Sequence, residues 1–172
     1  NNFNVVLIFA DDQGYGDLGC FGSQKIKTPH IDQMAKEGRR FTSFMVASPV
    51  CTPSRAALLT GCYPKRVGMH QHVLFPSSTK GLNPNEYTMA DHFKSLGYAT
   101  ACYGKWHLGQ VNGMAAHDQG FAESLLMASG LYGRRDDAEV IQARQDFDPI
   151  DRFLWAALNF AASFNGGPDF EP

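Results

Sequence analysis

The sequence predicts an α/β fold, a mostly parallel sheet flanked by helices. Three observations predict it. Val5-Val6-Leu7-Ile8-Phe9-Ala10 is a continuous apolar run rich in β-branched residues, the pattern of a parallel strand buried on both faces. Strand-length runs alternate with stretches of helical period, which favours parallel strands joined by helical crossovers. The first run also stops at charged residues, and open α/β sheets carry their sites at the carboxyl ends of strands.

Taken in order, Val5–Ala10 is the first predicted strand, ending in Asp11-Asp12 before the glycine-rich stretch Gly14 to Gly22. Pro29 to Gly38 reads as a helix with Ile31, Met34 and Ala35 on one face. Phe41 to Val46 reads as a second strand. Thr52-Pro53 looks like a helix start, with Thr52 as N-cap and Pro53 at the first helical position. That helix would run through Arg55 and Leu59 to Gly61, and Gly68 to Asn85 would be a long irregular loop. Thr88 to Leu96 reads as a helix with a Thr88/Asp91 box at its start and Gly97 as its stop. Tyr98 to Tyr103 is the third predicted strand, leading into Gly104-Lys105-Trp106-His107. Asn112 to Gln145 carries no clear period. Asp148-Pro149 then opens an amphipathic helix, with Ile150, Phe153, Leu154, Ala157, Leu158 and Ala161 at helical spacing and Gly166-Gly167 as its end.

The chain has 172 residues, enough for one domain with a core, and a net charge of -2 that gives nucleic-acid binding no support. No apolar run approaches the roughly 20 residues that span a bilayer. No signal peptide is visible and the chain does not begin with Met, so a trimmed N-terminus is expected and export stays open. Cys20, Cys51, Cys62 and Cys102 are irregularly spaced and include no C-x-x-C, which argues against a zinc site and a disulfide framework.

Three groups of residues could carry chemistry. Cys51 precedes a predicted helix start, where the dipole and free N–H groups attract anions. Arg55 follows four residues on and returns to the same side one turn later. Spacing alone also allows a buried Cys before a helix with a surface Arg. Asp11-Asp12 places two adjacent carboxylates at the end of a buried strand, where a hard divalent cation would relieve their repulsion. The plain alternative is a polar turn. Lys105 and His107 are two apart, so in an extended segment they share a face while Trp106 points away. An ammonium and an imidazole together suit an anionic group and a proton transfer, although an isolated K-x-H is usually accidental.

Cys51-Thr52-Pro53-Ser54-Arg55, continuing to Leu59-Thr60-Gly61, resembles the C-x-P-S-R…L-T-G pattern of the sulfatase family. Gly104-Lys105-Trp106-His107-Leu108-Gly109 matches a second motif of that family, in the right order after the first. Where the family often has Arg after L-T-G, Cys62 stands here. The resemblance implies an alkaline-phosphatase/sulfatase-like fold and a sulfuric ester hydrolase of the arylsulfatase type. It implies that Cys51 is oxidised to formylglycine by a formylglycine-generating enzyme, and that a diol oxygen of the modified Cys51 attacks sulfur. Arg55 would hold the diol, Lys105 the sulfate, and His107 would hydrogen-bond the formylglycine. Asp11, Asp12 and the modified Cys51 would ligate calcium or magnesium. The substrate would be a sulfated small molecule or glycan, and the location periplasmic, secreted or lysosomal.

The resemblance also implies a longer protein. Residues 1–172 correspond to the N-terminal portion of the family's catalytic domain, with the sheet incomplete at its C-terminal side. The Asp-Asn pair, the His and the Lys that the family places downstream are not found in the sequence. A phosphonate or phosphate ester hydrolase of the same superfamily and an inactive sulfated-glycan-binding fragment are the rival readings. Of the remaining histidines, His30 reads as a turn residue and His92 as a surface position, while His70 and His72, in the loop after the Cys51 helix, are weaker candidates to line a substrate pocket. His117 precedes Gly120-Phe121-Ala122, where Ala122 replaces the family's usual Asp. Gly14-Tyr15-Gly16-Asp17-Leu18-Gly19 matches the dinucleotide fingerprint. The preceding carboxylates, the absence of a helical period after Gly19 and the absence of a later acidic ribose ligand oppose that reading.

Overall fold

The computed structural model describes residues 3–71, 73–74, 78–111, 113–127 and 162–165. They fall into two compact units, residues 1–45 and 46–172.

The first unit is built around α1, Pro29–Glu37, which starts with Pro at its first position after Thr28. The helix is as predicted, but Ile31 and Met34 on its apolar face are exposed, and His30 lies within its first turn rather than in a turn before it. Two short 3-10 turns, Tyr15–Asp17 and Gly19–Phe21, precede it. Asp32 and Thr28 tie the second of these to the helix: Cys20 N donates to Asp32 Oδ1 at 2.6 Å, Gly19 N donates to Thr28 Oγ1 at 2.8 Å, and Thr28 Oγ1 donates to Asp32 Oδ1 at 2.9 Å. The Tyr15 and Phe21 rings pack at 4.6 Å, and the Arg40 guanidinium lies over Phe21 at 5.5 Å. Gly14 N donates to Asp17 Oδ2 at 2.6 Å. The amides that a dinucleotide phosphate would need therefore already serve the chain's own oxygens, and no helix opens at Gly19.

Two predicted strands do not form here. Residues 5–10 and 41–46 make no sheet pairing among the described residues. Val6 and Ile8 are 84% and 79% exposed, and Phe44 and Met45 are also exposed. An apolar β-branched run states a preference for burial, but a strand exists only where a neighbour supplies ladder partners.

The second unit contains α2, Cys51–Thr60, α3, Met89–Ser95, and a three-stranded sheet. The strands are β1, Ala101–Gly104, β2, Glu123–Met127, and β3, Ala162–Asn165. β1 and β2 are parallel, with Ala101 opposite Glu123, and β3 is antiparallel to β2, with Phe164 opposite Leu125. The third predicted strand thus starts later and ends one residue later than its apolar run suggested. Residues 148–161 of the predicted last helix lie outside the described residues. Residues 162–165 pair with β2, so no helix runs on to Gly166. Pairing with an adjacent strand overrides helical period here.

α2 begins at Cys51 with Val50 as its N-cap, so Thr52 is the second helical residue and Pro53 the third. Thr52 does not cap because its hydroxyl has tertiary partners. Proline is tolerated at this depth because first-turn N–H groups have no helical acceptor. The helix stops at Gly61, whose φ of 66° needs a left-handed residue. α3 has the predicted box: Asp91 N donates to Thr88 Oγ1 at 3.2 Å and Thr88 N donates to Asp91 Oδ2 at 3.0 Å. The loop from 68 to 85 carries no helix or strand among its described residues. Ala56, Val67, Met69, Leu74, Leu82, Trp106, Leu108 and Ala116 form the core, so α2, that loop and the segment after β1 share one apolar interior. Among the described residues no helix is long and apolar enough to cross a membrane.

Candidate active site

Helix α2 presents Cys51 at its first residue, partly exposed and unbridged. Neither Cys51 nor Thr52 finds a helical acceptor for its N–H this early, and Pro53 has no N–H at all. The first helical bond comes from Ser54 N to Val50 O at 3.1 Å. A helix start of this kind favours negative charge beside the Cys51 side chain.

Lys105 enters from the loop that follows β1. Its Nζ donates to Cys51 Sγ at 3.3 Å. Arg55 stands one turn along α2, and its NH1 donates to the Lys105 carbonyl at 2.7 Å. The guanidinium therefore braces the backbone of the very residue whose ammonium meets Cys51. Three predicted residues, Cys51, Arg55 and Lys105, come together in one place.

His107 is brought to the same corner by a different route. β1 ends at Gly104, and the chain does not continue extended: Gly104 has φ 97° and His107 φ 60°. The expected shared face of Lys105 and His107 is therefore absent. The His107 ring turns inward, 2% exposed, with Nε2 at 2.5 Å from the Leu74 carbonyl. Its own carbonyl accepts from Thr52 Oγ1 at 2.9 Å. Trp106 is buried too, its Nε1 donating to the carbonyls of Gly109 and Met114, each at 3.0 Å. Its ring meets Phe121 edge-on at 6.0 Å.

Asp11 and Asp12, in the first unit, are both exposed. Asp12 has φ 54°, and Asp12 and His107 are the non-glycine residues with positive φ among the described residues. Such backbone is held by its surroundings and collects at functional positions, with Asp and His among the residues that tolerate it best. Two hard carboxylate oxygens side by side fit the donor chemistry of calcium or magnesium. Among the described residues no three His, Cys, Asp or Glu side chains are grouped for a metal.

Some contributors were not legible beforehand. Thr52, expected as a cap, is fully buried and engaged by Leu74 N at 3.1 Å as well as by His107. The only sequence signal was a hydroxyl beside the key cysteine. Cys102, on β1, faces the apolar interior near Arg55. Burial pushes its thiol from 9.0 to about 11, and the Arg55 charge opposes this. A cavity of about 410 Å³ is lined by Val67, Met69, Leu74, Lys80, Asn83 and Met114 among others. His70 is exposed and not part of that lining, and His72 lies outside the described residues. His92 is on the surface as predicted, and His117 pairs locally with Asp118 at 3.6 Å.

An α/β fold with a thiol at a helix start, an ammonium against it and a guanidinium holding the backbone of that ammonium's residue, defines a site suited to anions. The family model described as Sulfatase matches residues 3–170, and the chain belongs to the sulfatase family. It is similar to arylsulfatase A of Homo sapiens, 58% identical over 106 residues that cover 62% of this chain and 21% of that protein. It is likewise similar to steryl-sulfatase of Mus musculus, 55% identical over 111 residues covering 62% of this chain and 18% of that one. The chain thus spans about a fifth of the length of these curated relatives. Among solved structures, Ps i-CgsB aligns with a TM-score of 0.73 at 31% identity, over 92% of this chain and 35% of its own. The PsFucS1 sulfatase from Pseudoalteromonas sp. aligns with a TM-score of 0.59 at 40% identity, over 67% and 24%.

Proposed function

We propose that the protein carrying this chain hydrolyses sulfate esters, with residue 51 as the nucleophile. The observation that supports this most is the contact between Lys105 Nζ and Cys51 Sγ at the start of α2. Residue 51, converted to formylglycine by a modifying enzyme that consumes dioxygen and removes the sulfur, and then hydrated, would supply a geminal diol: one oxygen forms the bond to sulfur as the ester's alcohol leaves, and loss of the proton from the other re-forms the aldehyde and expels sulfate. The rest falls to the chain's own groups. Lys105 neutralises an anionic oxygen at residue 51 and at the sulfate. Arg55 holds the Lys105 backbone, so the ammonium cannot drift from the helix start. The helix dipole adds to the same positive field. Asp11 and Asp12 are the residues that would hold calcium, a hard cation suited to two carboxylate oxygens.

The test has two arms, both on the intact protein. Mass spectrometry of the intact chain should find residue 51 lighter by roughly 18 Da than cysteine, the difference between a thiomethyl and an aldehyde side chain. Turnover of an aryl sulfate should exceed that of the matching phosphonate ester, and Cys51→Ala should abolish it with the fold retained. Activity of Cys51→Ala within tenfold of the parent, or preference for the phosphonate, would overturn the proposal.

A further inference from the structure

We infer that Thr52 is a positioning residue for this hydrolysis: its hydroxyl closes a circuit of three hydrogen bonds that sets the tautomer of His107 and ties the start of α2 to the loop bearing Lys105. The inference rests on the sulfatase reading for its kinetic consequence, but not for the circuit itself. Thr52 Oγ1 donates to the His107 carbonyl at 2.9 Å and accepts from Leu74 N at 3.1 Å. His107 Nε2 lies 2.5 Å from the Leu74 carbonyl, which completes the circuit. The members are 22, 33 and 55 residues apart, so each bond joins a different pair of segments. All three residues are buried.

The direction of each bond follows from chemistry. A carbonyl only accepts, so His107 Nε2 carries a hydrogen. In the neutral ring Nδ1 then bears the lone pair, and any proton that His107 exchanges moves at Nδ1. This tautomer depends on where the Leu74 carbonyl stands, and the Leu74 N–H is held by Thr52. The left-handed backbone of His107 depends on the same hydroxyl, which holds its carbonyl. Thr52 directly follows Cys51, so a shift of this hydroxyl is a shift of the nucleophile against Lys105. A helix-capping role is filled by Val50 instead.

Thr52→Val keeps the shape and removes both bonds, whereas Thr52→Ser keeps both bonds and removes a methyl. With nitrogen-15-labelled histidine in the intact protein at alkaline pH, the wild-type His107 signal should be that of an Nε2–H imidazole. It should become mixed or switch in Thr52→Val and stay unchanged in Thr52→Ser. On an aryl sulfate, with rates normalised to the fraction converted at residue 51, Thr52→Val should lower kcat 10- to 100-fold, as loss of an orienting partner commonly does, with KM within about threefold. Its kcat–pH profile should also move, and Thr52→Ser should stay within about threefold of the parent. An Nδ1–H tautomer in the wild type would overturn the inference even if Thr52→Val does not fold. So would a Thr52→Val enzyme with parental kcat, or a Thr52→Ser enzyme as impaired as Thr52→Val. A wild type inert toward aryl sulfates but showing the Nε2–H ring would sink the hydrolysis reading and leave the circuit standing.

Discussion

Replacing Lys105 with Met removes one charge and almost nothing else. The carbonyl that holds Arg55 belongs to the backbone and remains, so Arg55 should stay in place. What disappears is an ammonium 3.3 Å from the side chain at residue 51. Unit charges at that separation interact by about 5 kcal/mol at an effective dielectric of about 20, which is an upper bound for a partly exposed group. Removing one donor aimed at a developing anion usually costs about 2.7–4 kcal/mol, or roughly 100- to 1,000-fold in kcat. Lys105→Met should therefore lose two to three orders of magnitude in kcat on an aryl sulfate, followed by release of the phenolate chromophore. Thermal stability should change by less than about 1 kcal/mol, because a partly exposed charge contact adds little to folding. Parental kcat in Lys105→Met would show that the ammonium does not act on the reacting atoms. A collapse in stability would show that it is a structural prop.

Two further outcomes are expected. If Asp11 and Asp12 hold calcium, the ion should raise the melting temperature of the intact protein, by about 2.7 kcal/mol of stability at a hundredfold excess over its Kd; a calorimetric shift that persists in the Asp11→Ala/Asp12→Ala double variant would refute the assignment. Burial holds the Cys102 thiol protonated to about 11 in the fold, against 9.0 ordinarily. The unfolded chain then loses this proton first, so the stabilisation is fully present below pH 9 and is lost as pH rises through about 11. Cys102→Ala should flatten that alkaline decline by on the order of 2 kcal/mol, read from denaturant midpoints across the range; an unchanged slope would assign the decline to other groups.

The parts legible in the sequence were those fixed by neighbours in the chain. Helix α3 declared itself through Thr88 and Asp91, whose box satisfies two backbone groups three residues apart. Pro29 and Gly61 mark helix ends for equally local reasons, one by its fixed φ and the other by its tolerance of positive φ. Residue type at Cys51, Arg55 and Lys105 pointed to the chemistry, and these three meet. The failures were all questions of partnership. Val5–Ala10 looked like a strand, but strand pairing belongs to two segments at once. Residues 162–165 had a helical setting and pair with β2 instead. His107 was placed by alternation along an extended chain, and two positive φ values within four residues void that rule. Thr52 looked like a cap because capping is local, while its real partners are Leu74 and His107.

Asp12 sits at a φ of 54°, where an L side chain costs roughly 1–2 kcal/mol and glycine costs almost nothing. It is exposed, so its carboxylate is not repaid by packing. A laboratory selection that rewards only heat resistance, run without metal or substrate, has every reason to turn this position into glycine. If Asp12 holds calcium as proposed, the improved clones would be the dead ones. Any programme to harden this protein must therefore keep catalysis in the selection, because the cheapest gain in melting temperature lies on a residue that the proposed chemistry needs.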